Sequence, residues 1–348
     1  MAYKYTHFIP QNIAPIGAKS IGVYDGDGKK VCNIPLGRLT PPTTGKLYSF
    51  GLVSDTHVDG NVTNATRLND ALTFYESQGC AFCCTAGDLT NVGFYFEKGD
   101  TELYLAAMTE YKSVLDSHPN LPMHGCVGNH ESYNKPIIYN LAELKAYTGR
   151  DLCYTMTHGN DVFIFFGQPG GTSYVERDTW KAQLKWLQEQ LEANRNKRCF
   201  VFEHLTLNDD AGNPNNIHNA FWEDMESTLV GLLQHYKNTI LFHGHSHFDL
   251  KEQVNFSYMN YSTKKGFRSV HVPSTVGGRI TVNGVKQDTT IPENRSGYVA
   301  EVYKNCLVLK GYNFHENAFV PIAQYCIDTT LQTIEAGTFT DSTGTIVT

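Results

Sequence analysis

Apolar and polar positions alternate with two periods along this chain. From Tyr48 onward, short apolar runs are separated by stretches with helical spacing. "YSFGLVSD" predicts a buried strand, and residues 64–78 place Leu68, Leu72 and Tyr75 on one helical face. "CAFCCTAGD" predicts a second strand, residues 101–117 a second helix and "MHGCVGNHE" a third strand. "DVFIFFGQ" follows, then a helix over 178–194 with Trp180, Leu184, Leu187 and Leu191 at i, i+4, i+7 and i+11 and Asp178 as its N-cap. "CFVFEH" is the next strand, 217–235 another helix, and "TILFHGH" another strand. After residue 250 the pattern is β-rich with hairpin-like turns. Strands alternating with helices predict an α/β architecture. In such sheets, sites form just beyond the carboxyl ends of the strands.

The ends of the chain read differently. Residues 1–45 are rich in Gly, Pro and Thr, and "IGVYDGDGKKVCNI" predicts a small hairpin around its DGDG turn. That turn is not an EF-hand, since no Glu stands at loop position 12. "TPPTTGK" at 40–46 reads as a linker. A main domain is expected over 46–326, followed by a Thr-rich extension over 327–348. This division agrees with the length of 348 residues, since a single core stops growing near ~250–300.

Composition narrows the partners. Hydrophobic residues make up 41% and charged residues 18%, as in ordinary globular chains. Net charge is −7 with no run of five basic residues, which counts against duplex nucleic acid. No run of 18 apolar residues predicts a membrane span, and "MAYKYTHFIPQNIAPIG" does not read as a signal peptide. A cytoplasmic protein is expected. The nine scattered cysteines read as free buried thiols of a reducing compartment. "CAFC" at 80–83 lacks the second pair that a zinc site needs.

The chemistry lies at the strand ends. After "YSFGLVS" comes Asp55-Thr56-His57; after "CAFCCTAG", Asp88; after "MHGCVG", Asn129, His130 and Glu131. After "CFVFE" comes His204, and after "TILFHG" come His245 and His247. Each piece alone reads as a turn, a cap or a packed histidine. Together they supply oxygen and nitrogen donors suited to Mn, Fe or Zn. His243 lies on the same side as His245 and His247 by strict strand alternation, though deeper, and reads as a packed or supporting histidine.

The order DxH…GD…GNH[DE]…H…GHxH over residues 48–250 resembles the calcineurin-like metallophosphoesterases. The resemblance implies a four-layer αββα sandwich with two central mixed β-sheets, carrying the small N-terminal β appendage. It implies two divalent or trivalent metal ions. Asp55, His57, Asp88 and His247 would hold the first, and Asp88, Asn129, His204 and His245 the second, with one oxygen of the Asp88 carboxylate for each. The implied reaction is hydrolysis of a phosphodiester or phosphomonoester by a hydroxide held between the metals. His130 would serve the leaving oxygen, and Glu131 would orient His130 and raise its pKa. Two divalent ions would bring +4 against −2 from Asp55 and Asp88, leaving +2 for a hydroxide and a small phosphoester substrate.

Subfamily features are mixed. "GDLTNVGFYF" has no Arg of the GDxVDRG type found in protein phosphatases. Asn91 stands where purple acid phosphatases place a Tyr. "GDLTNVG" with "TWKAQLKWLQEQL" before "FVFEHL" resembles the class III cyclic-nucleotide phosphodiesterase branch, whereas "EHLTL" departs from its paired His and Pro. Two other readings stand beside this one. One is a component of a larger assembly, docked or self-associated through residues 1–45 and the tail; the other is a nuclease on single-stranded or short nucleic acid. Specificity would lie in loops 91–100, 132–160, 168–178 and 205–218. "GQPGGTSY" at 167–174 lacks the Lys of a P-loop and reads as a rim loop.

Overall fold

The computed structural model describes residues 20–24, 30–35, 42–131, 141–167, 177–208, 210–212, 223–251, 260–263, 265–282, 285–286 and 289–334. Strands β1 (Ser20–Tyr24) and β2 (Lys30–Pro35) pair antiparallel, and the DGDG residues between them lie outside the described residues. The main body follows in chain order: β3 (Tyr48–Val53), α1 (Val62–Ser77), β4 (Cys83–Thr85), α2 (Val92–Lys98), α3 (Thr101–Ser117), β5 (Met123–Gly125) and α4 (Leu141–Thr148). Next come β6 (Cys153–His158), β7 (Asp161–Phe166), α5 (Arg177–Ala193), β8 (Cys199–Phe202), α6 (Glu223–His235) and β9 (Thr239–His243). The last part holds β10 (Tyr261–Ser262), β11 (Arg268–His271), β12 (Thr281–Val282), β13 (Val285–Lys286), β14 (Ser296–Val302), β15 (Cys306–Asn313) and β16 (Ala318–Asp328).

Two six-stranded mixed sheets carry the molecule. One runs β16-β15-β14-β3-β4-β5, parallel only across β3, β4 and β5. The other runs β10-β11-β9-β8-β7-β6, parallel from β11 to β7. Strand alternation decides what each face buries. Phe163, Phe165, Phe200, Phe202 and Phe242 of the second sheet meet Phe50, Leu52, Tyr298 and Tyr325 of the first in one central core. The opposite faces of β7, β8 and β9 (Ile164, Val201, Leu241) meet Trp180, Leu184, Leu187 and Leu191 of α5 and Leu229, Leu232 and Leu233 of α6. On the far side α1 and α3 cover the first sheet through Leu68, Leu72, Tyr75 and Tyr111. The result is the αββα sandwich.

A row of rings crosses the central core. Tyr154, Phe165, Phe202 and Phe242 are register partners on β6 to β9 and stack successively, with centroids 4.7, 4.9 and 5.0 Å apart. Aromatic pairs of this kind add about 0.5–1.5 kcal/mol each beyond burial. The row ends one residue before Glu203-His204 on β8 and His243-Gly244 on β9. It is the floor beneath the strand-end loops.

Two expectations are corrected. Helix α5 begins at Arg177, which puts Asp178 inside its first turn rather than at the cap. The C-terminal boundary expected at 326/327 falls inside β16, and Thr329 and Ile334 beyond it are buried. Arg198 explains this, because its guanidinium donates to Thr329 Oγ1 at 2.8 Å and to the Tyr303 carbonyl at 2.8 Å. Asn238 adds a two-way pair with the backbone of Gln332. Residues 335–348 of the expected tail lie outside the described residues, as do 1–19. Cys80, Cys83, Cys84, Cys126, Cys153, Cys199, Cys306 and Cys326 are free thiols. Among the described residues, no helix is long and apolar enough to cross a membrane.

Candidate metal centre

The loops after β3 and β4 continue to pair after the strands end. His57 N–H donates to the Asp88 carbonyl, Val58 N–H to Leu89 and Asn91 N–H to Val58, each at 3.0–3.1 Å. Asp55, His57, Asp88, His245 and His247 all have positive φ, between 43° and 67°. That left-handed backbone is uncommon outside glycine, though Asp and His tolerate it better than most residues. It turns each side chain away from the pleat and towards one point. The same fact revises the alternation argument for His243, which is packed as expected. Strict alternation ends with β9 at His243, which is buried with its Nε2 3.2 Å from Ser269 Oγ. His245 and His247 reach the centre through their loop conformation.

Three overlapping groups result, each with its donor atoms within 4.8 Å of one another: Asp55, His57 and His247; Asp88, His204 and His245; and His57, Asp88 and His130. His57 Nε2 faces His247 Nε2 at 3.0 Å, and His247 Nε2 lies 3.1 Å from Asp55 Oδ1. His204 Nε2 lies 3.1 Å from Asp88 Oδ2. Donors about 2.1 Å from one cation stand about 3 Å apart, so these spacings fit a metal. Two lone-pair nitrogens facing each other at 3.0 Å repel unless a proton or a cation lies between them. Asn129 is buried on the 3-10 turn Asn129–Glu131, beside His130, whose N–H donates to Asp88 Oδ1 at 2.9 Å.

Asp88 departs from the geometry expected of it. Its Oδ1 is taken by the His130 N–H, so the two oxygens do not serve one group each. Oδ2 alone faces both sides, 3.1 Å from His204 Nε2 and 3.8 Å from His57 Nε2. Glu131 also departs. Its Oε1 accepts from Thr90 N–H at 2.8 Å and Thr90 Oγ1 at 3.2 Å, and its Oε2 from Gly128 N–H at 2.7 Å. The carboxyl ties the β4 loop to the β5 loop. At His130 Nδ1 stands the amide oxygen of Asn91, at 2.8 Å, in the place expected for Glu131.

The electrostatics are those of a pocket that wants positive charge. Burial would raise the Asp55 carboxyl, but His247, His204 and His57 outweigh it and hold it well below its usual range. Asp88 is held low in the same way by His204 and His130. Burial opposes a charge on His204, yet Asp88 and Asp55 raise it to about 10. His57, His130 and His247 are lowered, chiefly by burial. His130 is therefore not raised as expected. Burial, followed by the nearby Asp88 charge, pushes Glu131 up to about 8.

Glycines make the approach possible. A Cβ on Gly128 would stand 2.3 Å from Asp88 Oδ1, one on Gly87 2.5 Å from His204 Nδ1, and one on Gly244 2.5 Å from Asp55 Oδ2. Gly128 and Gly244 thus let backbone close on the two carboxylates, and Gly87 on the His204 ring. Over residues 48–249 the chain matches a family model described as calcineurin-like phosphoesterase.

The chain is a calcineurin-like phosphoesterase.

Solved structures agree with this phosphoesterase at the level of fold. A dimetal phosphatase from Danio rerio superposes with a TM-score of 0.58 at 16% identity, over 82% of this chain and 100% of that one. A purple acid phosphatase from yellow lupin seeds gives 0.54 at 13% identity, over 89% of this chain and 59% of that one. No curated protein matches. The phosphoesterase thus brings Asp55, His57, Asp88, His204, His245 and His247 into one buried centre, with half-buried His130 beside them. Sequence reasoning missed Asn91 and Thr90 as partners of the centre. The run "GDLTN" carried the signal, because the bridges that extend β3 and β4 hold residues 88–91 beside 55–58. Of the rim loops, 132–140, 168–176, 209 and 213–218 lie outside the described residues.

Proposed function

We propose that this chain hydrolyses a small phosphodiester at a centre of two metal ions, with Mn, Fe or Zn as the metals. Asp55, His57, Asp88 and His247 hold one ion; Asp88, Asn129, His204 and His245 hold the other. The observation that carries this reading is Asp88 Oδ2, which faces His57 on one side and His204 on the other. When bound, the ions supply an activated water and neutralise charge on the phosphoryl oxygens. His204 presents Nε2 because its Nδ1–H donates to the Ala86 carbonyl at 2.7 Å. His130 carries its exchangeable proton on Nε2, which lies 3.9 Å from Asp88 Oδ2. There it serves the leaving oxygen. Glu131 keeps the turn that carries Asn129 and His130 against Thr90.

Charge balance favours the diester. Two divalent ions against Asp55 and Asp88 leave +2. A hydroxide and a diester monoanion cancel this charge, whereas a monoester dianion exceeds it. The test is manganese-loaded protein, assayed for metal content and for hydrolysis of bis-p-nitrophenyl phosphate beside p-nitrophenyl phosphate. Two equivalents of metal and faster diester cleavage are expected. Faster monoester cleavage would make the chain a phosphatase, like its zebrafish structural neighbour by description. Faster cleavage of oligonucleotides would make it a nuclease. Neither bound metal nor turnover would leave it a binding component.

A further inference from the structure

We propose that Asn91 is a positioning residue whose single amide oxygen sets the tautomer of two histidines at once, a ligand of the first metal and the histidine at the leaving group. This rests on the phosphoesterase reading for its consequences, but its geometry stands alone. Asn91 Oδ1 lies 2.9 Å from His57 Nδ1 and 2.8 Å from His130 Nδ1. The two rings pack edge to face, with centroids 4.5 Å apart. An amide oxygen has two lone pairs and only accepts. Each ring must therefore carry its hydrogen on Nδ1.

The opposite orientation of the amide would cost His57 its place as a metal ligand. Amide N–H groups facing both Nδ1 atoms would force the hydrogens of neutral rings onto Nε2. His57 Nε2 would then direct an N–H at His247 Nε2, 3.0 Å away, and offer no lone pair to a metal. With Oδ1 inward, His57 presents its Nε2 lone pair beside Asp55 and His247. His130 likewise keeps its Nδ1–H whether its Nε2 is protonated or not, so it gains or loses the substrate-side proton without turning its ring. The backbone fixes Asn91 in this role. Its N–H donates to the Val58 carbonyl at 3.0 Å, one residue beyond His57. Asn64 Nδ2 donates to the His57 carbonyl at 2.9 Å and holds the other side.

The test uses Asn91→Leu and Asn91→Asp in the full chain. Long-range proton–nitrogen spectra of the metal-free protein, with labelled histidine, report the tautomers. Wild type and Asn91→Asp should show both rings as Nδ1–H, because a carboxylate also accepts from both. Asn91→Leu should lose that signature. Manganese titration should show about 10–100-fold weaker binding at one site for Asn91→Leu, with recovery in Asn91→Asp. Turnover should fall in kcat with KM little changed. Unaltered tautomers and affinity in a folded Asn91→Leu protein would overturn the proposal. So would an Asn91→Asp protein as impaired as Asn91→Leu. Should wild type bind no metal while the tautomers still follow residue 91, the phosphoesterase reading fails and this proposal survives.

Discussion

Replacing Gly128 with alanine should strip the centre of metal while leaving the sandwich folded. Gly128 is not in the left-handed region, so alanine costs little backbone strain there. The added methyl would stand 2.3 Å from Asp88 Oδ1, 2.6 Å from Asp88 N and 2.7 Å from His204 Cδ2. Real Cβ atoms essentially never approach closer than 3.0 Å, so the carboxylate oxygen must retreat by about 0.7 Å. The Asp88 backbone cannot follow freely, since its carbonyl is held by the His57 N–H. Overpacking of this kind costs about 1–3 kcal/mol of stability. A misplacement near 1 Å costs on the order of 100-fold in rate. Because Asp88 Oδ2 faces both groups, occupancy should fall at both sites together. Metal content after dialysis, with urea unfolding beside it, measures this. Gly79→Ala is the control. It meets nothing within 4 Å but has φ of +66°, so it should cost about 1 kcal/mol and no metal. A Gly128→Ala protein that keeps two tightly bound ions would refute the reasoning.

Other outcomes follow from the same geometry. Asp88→Asn should lose most activity and loosen both metals, as read by metal analysis. His130→Ala should cut turnover with metal content near normal; stoichiometric loss of metal would contradict its place outside the ligand set. Arg198→Leu leaves Asp161 buried without the bidentate partner it now has at 2.6 and 2.9 Å. It should destabilise by about 3–5 kcal/mol in urea unfolding. Burial, followed by nearby Arg150, lowers His124 from 6.5 to about 4 in the folded protein. Between those values the unfolded chain binds more protons, so this group's stabilisation is full above 6.5 and is lost as pH falls towards 4. His124→Gln should flatten that slope in unfolding measured across the window.

How far the sequence could be read depended on range. Strands such as β7 and helices such as α5 were readable because their burial repeats within a few residues, as at Trp180, Leu184, Leu187 and Leu191. The site residues were readable because each follows an apolar strand directly. What escaped was contact between segments. Nothing in "GNHE" tells that the Glu131 carboxyl is spent on Thr90 and Gly128, or that Asn91 from another loop stands against His130. Short β6 escaped because its inward Tyr154, Met156 and His158 are only half-buried and contrast weakly with exposed Thr155 and Thr157. The C-terminal boundary was misplaced because Thr329 is held by Arg198, 131 residues earlier.

The left-handed residues carry a consequence for anyone redesigning this protein. Five side-chain-bearing positions in that region, at about 1 kcal/mol or more each, approach the whole net stability of a domain, about 5–15 kcal/mol. Glycine at those positions would relax the backbone and harden the empty scaffold against heat, at the expense of five of the seven side chains proposed to hold the metals. Selection for melting temperature alone should therefore erode this centre first, and a screen for robust variants needs metal retention as its second criterion.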